Sequence, residues 1–162
     1  MAELLTSPLF DHMPIGAYRT TPDGVLLRAN QALVRMNGYE TESEWLAATQ
    51  ASVEGWYVDP GRRAVFRSLM DTHGVVTNFV SEVYRRRTRE RIWVRETAYG
   101  LRDESGELIL FEGTVEDITN SVLAQQTLEE REARWRLALE AASDGVWDWH
   151  IATGEEYCSD GL

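Results

Sequence analysis

Residues 76–119 read VTNFVSEVYRRRTRERIWVRETAYGLRDESGELILFEGTVEDIT, and this stretch decides the fold. It holds three runs, Val76 to Arg86, Arg91 to Leu101 and Leu108 to Glu116, rich in the β-branched and aromatic residues that suit a pleated surface. Asp103-Glu104-Ser105-Gly106 separates the last two as a turn. Upstream, Ile15 to Thr20 and Val25 to Ala29 flank Thr21-Pro22-Asp23-Gly24, the pattern of a hairpin. Asn30 then caps a short helix, Gln31 to Met36, that stops at Asn37-Gly38, and a second short helix is expected from Glu42 to Ala48. Asp59-Pro60-Gly61 opens a longer helix with Val65, Phe66, Leu69 and Met70 on one stripe, closed by His73-Gly74. Two strands, several helices and three strands make an α+β plan with an antiparallel sheet.

Composition narrows the function. The 162 residues carry 16 basic and 27 acidic side chains, a net charge of −11, which disfavours nucleic acid as a partner. Every basic residue is arginine, so neither a P-loop lysine nor a Schiff-base amine exists in the chain. The single cysteine, Cys158, forbids an internal disulfide and a cysteine-cluster zinc site. No apolar run approaches the length of a membrane span and Met1 to Leu5 hold no positive charge, so a cytoplasmic location without membrane contact is expected.

Residues 118–142 lack glycine and proline and are rich in helix formers, which predicts one long helix. Ile118, Ser121, Gln125, Leu128, Glu132, Trp135, Leu139 and Ala142 step by threes and fours, a leaky coiled-coil seam or else a plain surface helix. After it, Ser143-Asp144-Gly145-Val146-Trp147 followed by Thr153-Gly154 repeats Pro14-Ile15-Gly16-Ala17-Tyr18 followed by Asp23-Gly24. The expected layout is a cap segment at 1–8, a domain at 9–117, a linker helix at 118–142 and the truncated start of a second copy at 143–162. The 162 residues then read as a fragment of a larger protein.

With these pieces in order, the chain resembles a PAS domain. Gly16 to Thr20 through Asp23-Gly24 to Asn30 is similar to the family's opening, and Asn37-Gly38-Tyr39 with Glu44 to its short-helix segment. Val58-Asp59-Pro60 with Arg63 matches the turn into the long helix, and Trp93-Val94 with Asp103 to Glu107 the final hairpin. Asp117-Ile118-Thr119 resembles the triplet that ends such domains and starts their output helix, while Arg87-Thr88-Arg89-Glu90 departs from the usual Asp-Gly turn. The resemblance implies a five-stranded antiparallel sheet with helices over one face of a cavity. It further implies a sensory or dimerising role ahead of an output domain, a histidine kinase or a cyclic-dinucleotide synthase or hydrolase, with Asp117, Ile118 and Thr119 as the relay.

The same resemblance turns Tyr18, Thr20, Val80, Glu82, Tyr84, Ile92, Val94, Glu96, Ala98, Phe111, Gly113 and Val115 inward, with Trp56 and Tyr57 lining or closing the cavity. Glu82 and Glu96 stand out, because a bare buried carboxylate costs several kcal/mol. Three readings stay open: a ligand with a cationic or hydrogen-bond-donating group, an internal pair with Arg63 or Arg67, or a strand phase that leaves both glutamates solvated. A small cytoplasmic molecule is the expected ligand, its identity and any cofactor left open. A haem or flavin redox or gas sensor is the less favoured alternative: His12, His73 and His150 are isolated, no cysteine lies within residues 9–117 for cysteine-linked flavin photochemistry, and nothing supports non-covalent flavin. Ser105 lacks the elbow of a hydrolase nucleophile, and no enzymatic activity is expected. The arginines at 85, 86, 87, 89 and 91 form either a basic patch or a solvated strand end. As an alternative to ligand sensing, Leu4, Leu5, Leu9 and Phe10 offer an apolar contact for a homodimer with a solidly packed interior.

Overall fold

In the computed structural model, residues 8–49, 55–142, 147–150, 153 and 155–158 are described, with side chains left aside at 49, 140–142, 147–150 and 155–158. Short α1 (Pro8–His12) leads into β1 (Gly16–Thr20) and β2 (Leu26–Ala29). Then follow α2 (Gln31–Met36), α3 (Glu42–Thr49) and α4 (Gly61–His73). β3 (Val75–Tyr84), β4 (Arg91–Arg102) and β5 (Leu108–Asp117) complete a five-stranded antiparallel sheet in the order β2-β1-β5-β4-β3.

Local chemistry sets each boundary. Asn30 caps α2 by accepting from Leu33 N–H at 3.0 Å, and the same oxygen accepts from Ala17 N–H at 2.9 Å, so one side chain starts the helix and fastens it to β1. Asp59 accepts from Gly61 N–H at 2.8 Å as α4 opens. Gly74 closes α4 in the left-handed conformation, φ 70°, donating to Met70 O. The buried stripe of α4 is narrower than the expected four residues: Phe66 and Met70 are in the core, Leu69 is half-buried and Val65 is exposed.

The core fills one face of the sheet. Ile92, Val94, Glu96 and Ala98 of β4 and Phe111 and Val115 of β5 are all buried there, as alternation requires. β3 departs from the expected phase. Its ladder to β4 shifts between Val76 and Phe79, and Asn78 takes φ 52° at the irregularity. Asparagine tolerates that left-handed conformation better than most residues, and the extra residue flips every side chain after it. Phe79, Ser81 and Val83 therefore point inward, while Val80, Glu82 and Tyr84 face out.

α5 (Thr119–Ala142) runs as the single long helix expected, its Leu128 and Trp135 exposed. Residues from Asn120 onward form a second unit, which also contains an antiparallel pair, β6 (Trp147–His150) and β7 (Glu155–Cys158). Of the repeated motif, residues 143–146 and 154 lie outside the described residues, as do Leu4 and Leu5 of the expected dimer contact. Phe10 is buried rather than exposed, because the guanidinium groups of Arg19 and Arg28 lie 5.0 and 5.6 Å from its ring centre.

Candidate functional site

Three elements converge on one buried acid. Glu96, on the inner face of β4, is 3% exposed. Tyr18 of β1 donates its hydroxyl to Glu96 Oε1 at 2.5 Å, and Tyr57 donates to Oε2 at 3.1 Å. Tyr18 crosses β5 to get there, which the sheet permits only because its register partner is Gly113. A Cβ at Gly113 would lie 2.7 Å from the Tyr18 ring. Tyr57 is held from the other side: it bridges to Val83, and its neighbours Trp56 and Val58 exchange backbone hydrogen bonds with Tyr84 and Glu82. Trp56 packs edge-on against Tyr57 at 5.2 Å, half-buried, and Phe111 meets Phe66 edge-on at 6.3 Å.

Burial pushes the Glu96 carboxyl above the ordinary 4.5; the Tyr18 and Tyr57 hydroxyls and the positive charge of Arg63 partly offset it. The two phenols are pushed up in turn, chiefly by burial and then by the negative charge of Glu96. Arg63, on the first turn of α4, lies 5.6 Å from the Phe66 ring and makes no ion pair with Glu96. Its Nη2 is buried without any hydrogen-bond partner. A buried donor left unmet costs about 1–3 kcal/mol, more when it is charged.

The expected site residues divide. Tyr18, Tyr57, Glu96 and Phe111 share the inner face, with Trp56 at its edge. Glu82 and Tyr84 are corrections. Glu82 lies on the outer face 3.9 Å from Arg91, and the Tyr84 ring is covered by the Arg89 and Arg91 guanidinium groups. Of the readings left open for Glu96, the internal pair with arginine is replaced by two tyrosines; Arg67 is exposed. His73 is exposed at the end of α4, and His12 is exposed on α1.

The three junction residues are tied to β4 itself. Ile118 is buried and donates its N–H to Trp93 O at 2.9 Å, while Thr119 Oγ1 accepts from Trp93 N–H at 2.9 Å. Asp117 Oδ1 accepts from both Thr119 N–H and Thr119 Oγ1–H, which caps α5. Asp117 Oδ2 takes Arg85 Nη2 at 2.8 Å. Arg85 also reaches the Met36 carbonyl at the end of α2 and pairs with Glu90. The sequence read Arg85 only as part of a basic run; its position at the end of β3 was the available signal. The rest of that run is engaged too: Arg87 pairs with Glu44 and Arg89 donates to Gly55 O.

A family model described as the PAS fold matches residues 10–123. The chain belongs to the PAS family. Among solved structures, this PAS domain is similar to a PAS domain from Colwellia psychrerythraea, with a TM-score of 0.56 and 18% identity over 69% of this chain and 92% of that one. It is also similar to a domain of a sensory box sensor histidine kinase/response regulator from Geobacter sulfurreducens, TM-score 0.52 and 23% identity, covering 67% of this chain and 88% of that one. An RNA-binding light-oxygen-voltage receptor aligns over 85% of this chain and 38% of its own, with a TM-score of 0.60 and 22% identity. These likenesses speak for the fold. Hybrid signal transduction histidine kinase A of Dictyostelium discoideum is 44% identical over 43 residues, a stretch that is 26% of this chain and 2% of that protein. Among the described residues, no helix is long and apolar enough to cross a membrane.

Proposed function

We propose that this PAS domain is a non-catalytic sensor that holds a small cytoplasmic molecule against the inner face of its sheet. It would relay that occupancy through α5 to an output domain of the same parent chain, of the histidine kinase or cyclic-dinucleotide synthase or hydrolase type. One observation carries the reading: β4 bears both ends of the path. Glu96 sits in the buried polar cluster, and Trp93, three positions away, is hydrogen-bonded to Ile118 and Thr119 at the start of α5. A tilt or slide of β4 that follows a change at Glu96 moves the cap of α5, shifting it between two arrangements. Asp117 couples that cap to Arg85 and so to the end of α2. On this reading residues 143–162 begin a second copy of the domain, which the β6–β7 pairing suits.

Amide hydrogen exchange tests the relay. Protein as purified is compared with protein unfolded, dialysed and refolded to strip any bound molecule. The expected result is faster exchange in the stripped protein at Glu96 and also at Trp93 and Ile118. In Asp117→Ala the difference at Glu96 persists and that at Ile118 disappears. Identical profiles before and after stripping contradict the reading.

A second reading, self-association, has its own support. A groove of about 430 Å³ lies between α1 and the outer face of the sheet, lined by Leu9, Met13, Arg19, Tyr99 and Leu101 among others. Leu9 and Tyr99 are 75% and 55% exposed beside it. A homodimer that packs this face loses affinity in Tyr99→Glu, as sedimentation velocity would show; a monomer at all concentrations removes the reading.

A further inference from the structure

The buried polar groups of the interior leave an imbalance of a particular sign. Both oxygens of Glu96 already accept a hydroxyl, and both tyrosine protons are spent on it. Glu96 is thus partnered at each oxygen, though each keeps a further lone pair, whereas Arg63 Nη2 has no partner at all. What is missing is an acceptor for Arg63 Nη2. We propose that the interior takes a small molecule bearing a single carboxylate, and that this carboxylate receives Arg63 Nη2. The proposal rests on the ligand-sensing reading above and names its ligand class.

Charge favours an anion over a neutral carbonyl, since a charge-assisted bond is stronger than a neutral one. One negative charge is enough. The neighbouring cation, Arg62, is already committed to Ser81 Oγ at 3.1 Å, to Val80 O at 2.7 Å and to the Phe79 ring. A phosphate dianion would need a second unspent cation. The body of the molecule is apolar, because Arg63 stands over Phe66, which itself meets Phe79 and Phe111 edge-on.

Ligand-observed NMR titration of the whole chain, with benzoate and hexanoate as probes and benzamide as the neutral match to benzoate, tests this. Wild type should bind at least one carboxylate saturably and benzamide at least about tenfold more weakly. Arg63→Gln should weaken the carboxylate by about tenfold, Arg63→Lys should restore part of it, and Arg67→Gln, an exposed arginine one turn further along the same helix, should change nothing. Should Arg63→Gln fail to fold, the carboxylate–amide contrast on wild type decides alone. Equal binding of benzoate and benzamide, or undiminished binding by folded Arg63→Gln, overturns the carboxylate assignment while leaving an interior ligand in place. Absence of saturable binding by both acids also overturns the proposal. The as-purified mass of the protein, bare or increased, then says separately whether the sensing reading falls with it.

Discussion

The two faces of this sheet handle charge in opposite ways. On the outer face, arginine and glutamate stand directly across the ladder from each other. Arg19 and Glu112 are register partners joined at 3.0 Å, and so are Arg95 and Glu116, at 3.2 Å. Cross-strand pairs of this kind satisfy one another and ask nothing further of the structure. On the inner face, Glu96 is flanked in register by Phe79 and Val115, with no arginine opposite. Its partners come from β1 and from the segment before α4, and Arg63, whose charge acts on it, keeps an unmet nitrogen. Outer-face charge is thus self-contained, whereas the inner cluster is held together by contacts between distant elements. Moving any one of those elements disturbs it.

The sharpest way to break the contrast is Glu96→Ala. It strands two buried hydroxyls, and a loss of about 3 kcal/mol in urea unfolding is expected. A cost under about 1 kcal/mol would mean that the tyrosines find other partners. Gly113→Ala comes next. The added methyl occupies the place of the Tyr18 ring, and about 2 kcal/mol should be lost along with the Tyr18–Glu96 hydrogen bond. Tyr18→Phe combined with Gly113→Ala tests the link, since the two losses should not add.

A pH effect follows, with a definite sign. Glu96 has a folded-state pKa above the ordinary 4.5, so the native state holds this proton more tightly than the unfolded chain does. Its contribution is fully present below pH 4.5 and is lost as pH rises through the folded-state value. Glu96→Gln should remove that decline, so the stability difference between wild type and variant should change across the same window. A difference that stays constant with pH contradicts a raised Glu96. The smallest effect belongs to the outer face. Glu82→Gln removes a long contact to an exposed arginine and should change stability by less than about 0.5 kcal/mol.

Glu82 and Glu96 also show what could be read from the sequence. Alternation located Glu96 correctly because β4 is regular from Ile92 to Ala98. The same counting failed on β3, where one irregularity near Asn78 inverts everything downstream; an asparagine inside a valine-rich run was the only trace of it. The hairpin, the helices and the Asp117-Ile118-Thr119 junction were legible because caps and turns are written in neighbouring residues. The contact of Tyr57 with Glu96 spans 39 residues, and no local pattern encodes it. Arg63 is a possible partner for the acid in the sequence, but that its Nη2 is left without an acceptor depends on the packing of α4 over the sheet.

Native mass spectrometry of the untagged chain, set against its denatured mass, asks whether the interior holds a small organic acid. The expected result is a non-covalent mass excess of a small organic acid, lost on denaturation and reduced in Arg63→Gln but not in Arg67→Gln. A native mass equal to that of the bare polypeptide, in protein that also binds neither benzoate nor hexanoate, would contradict it.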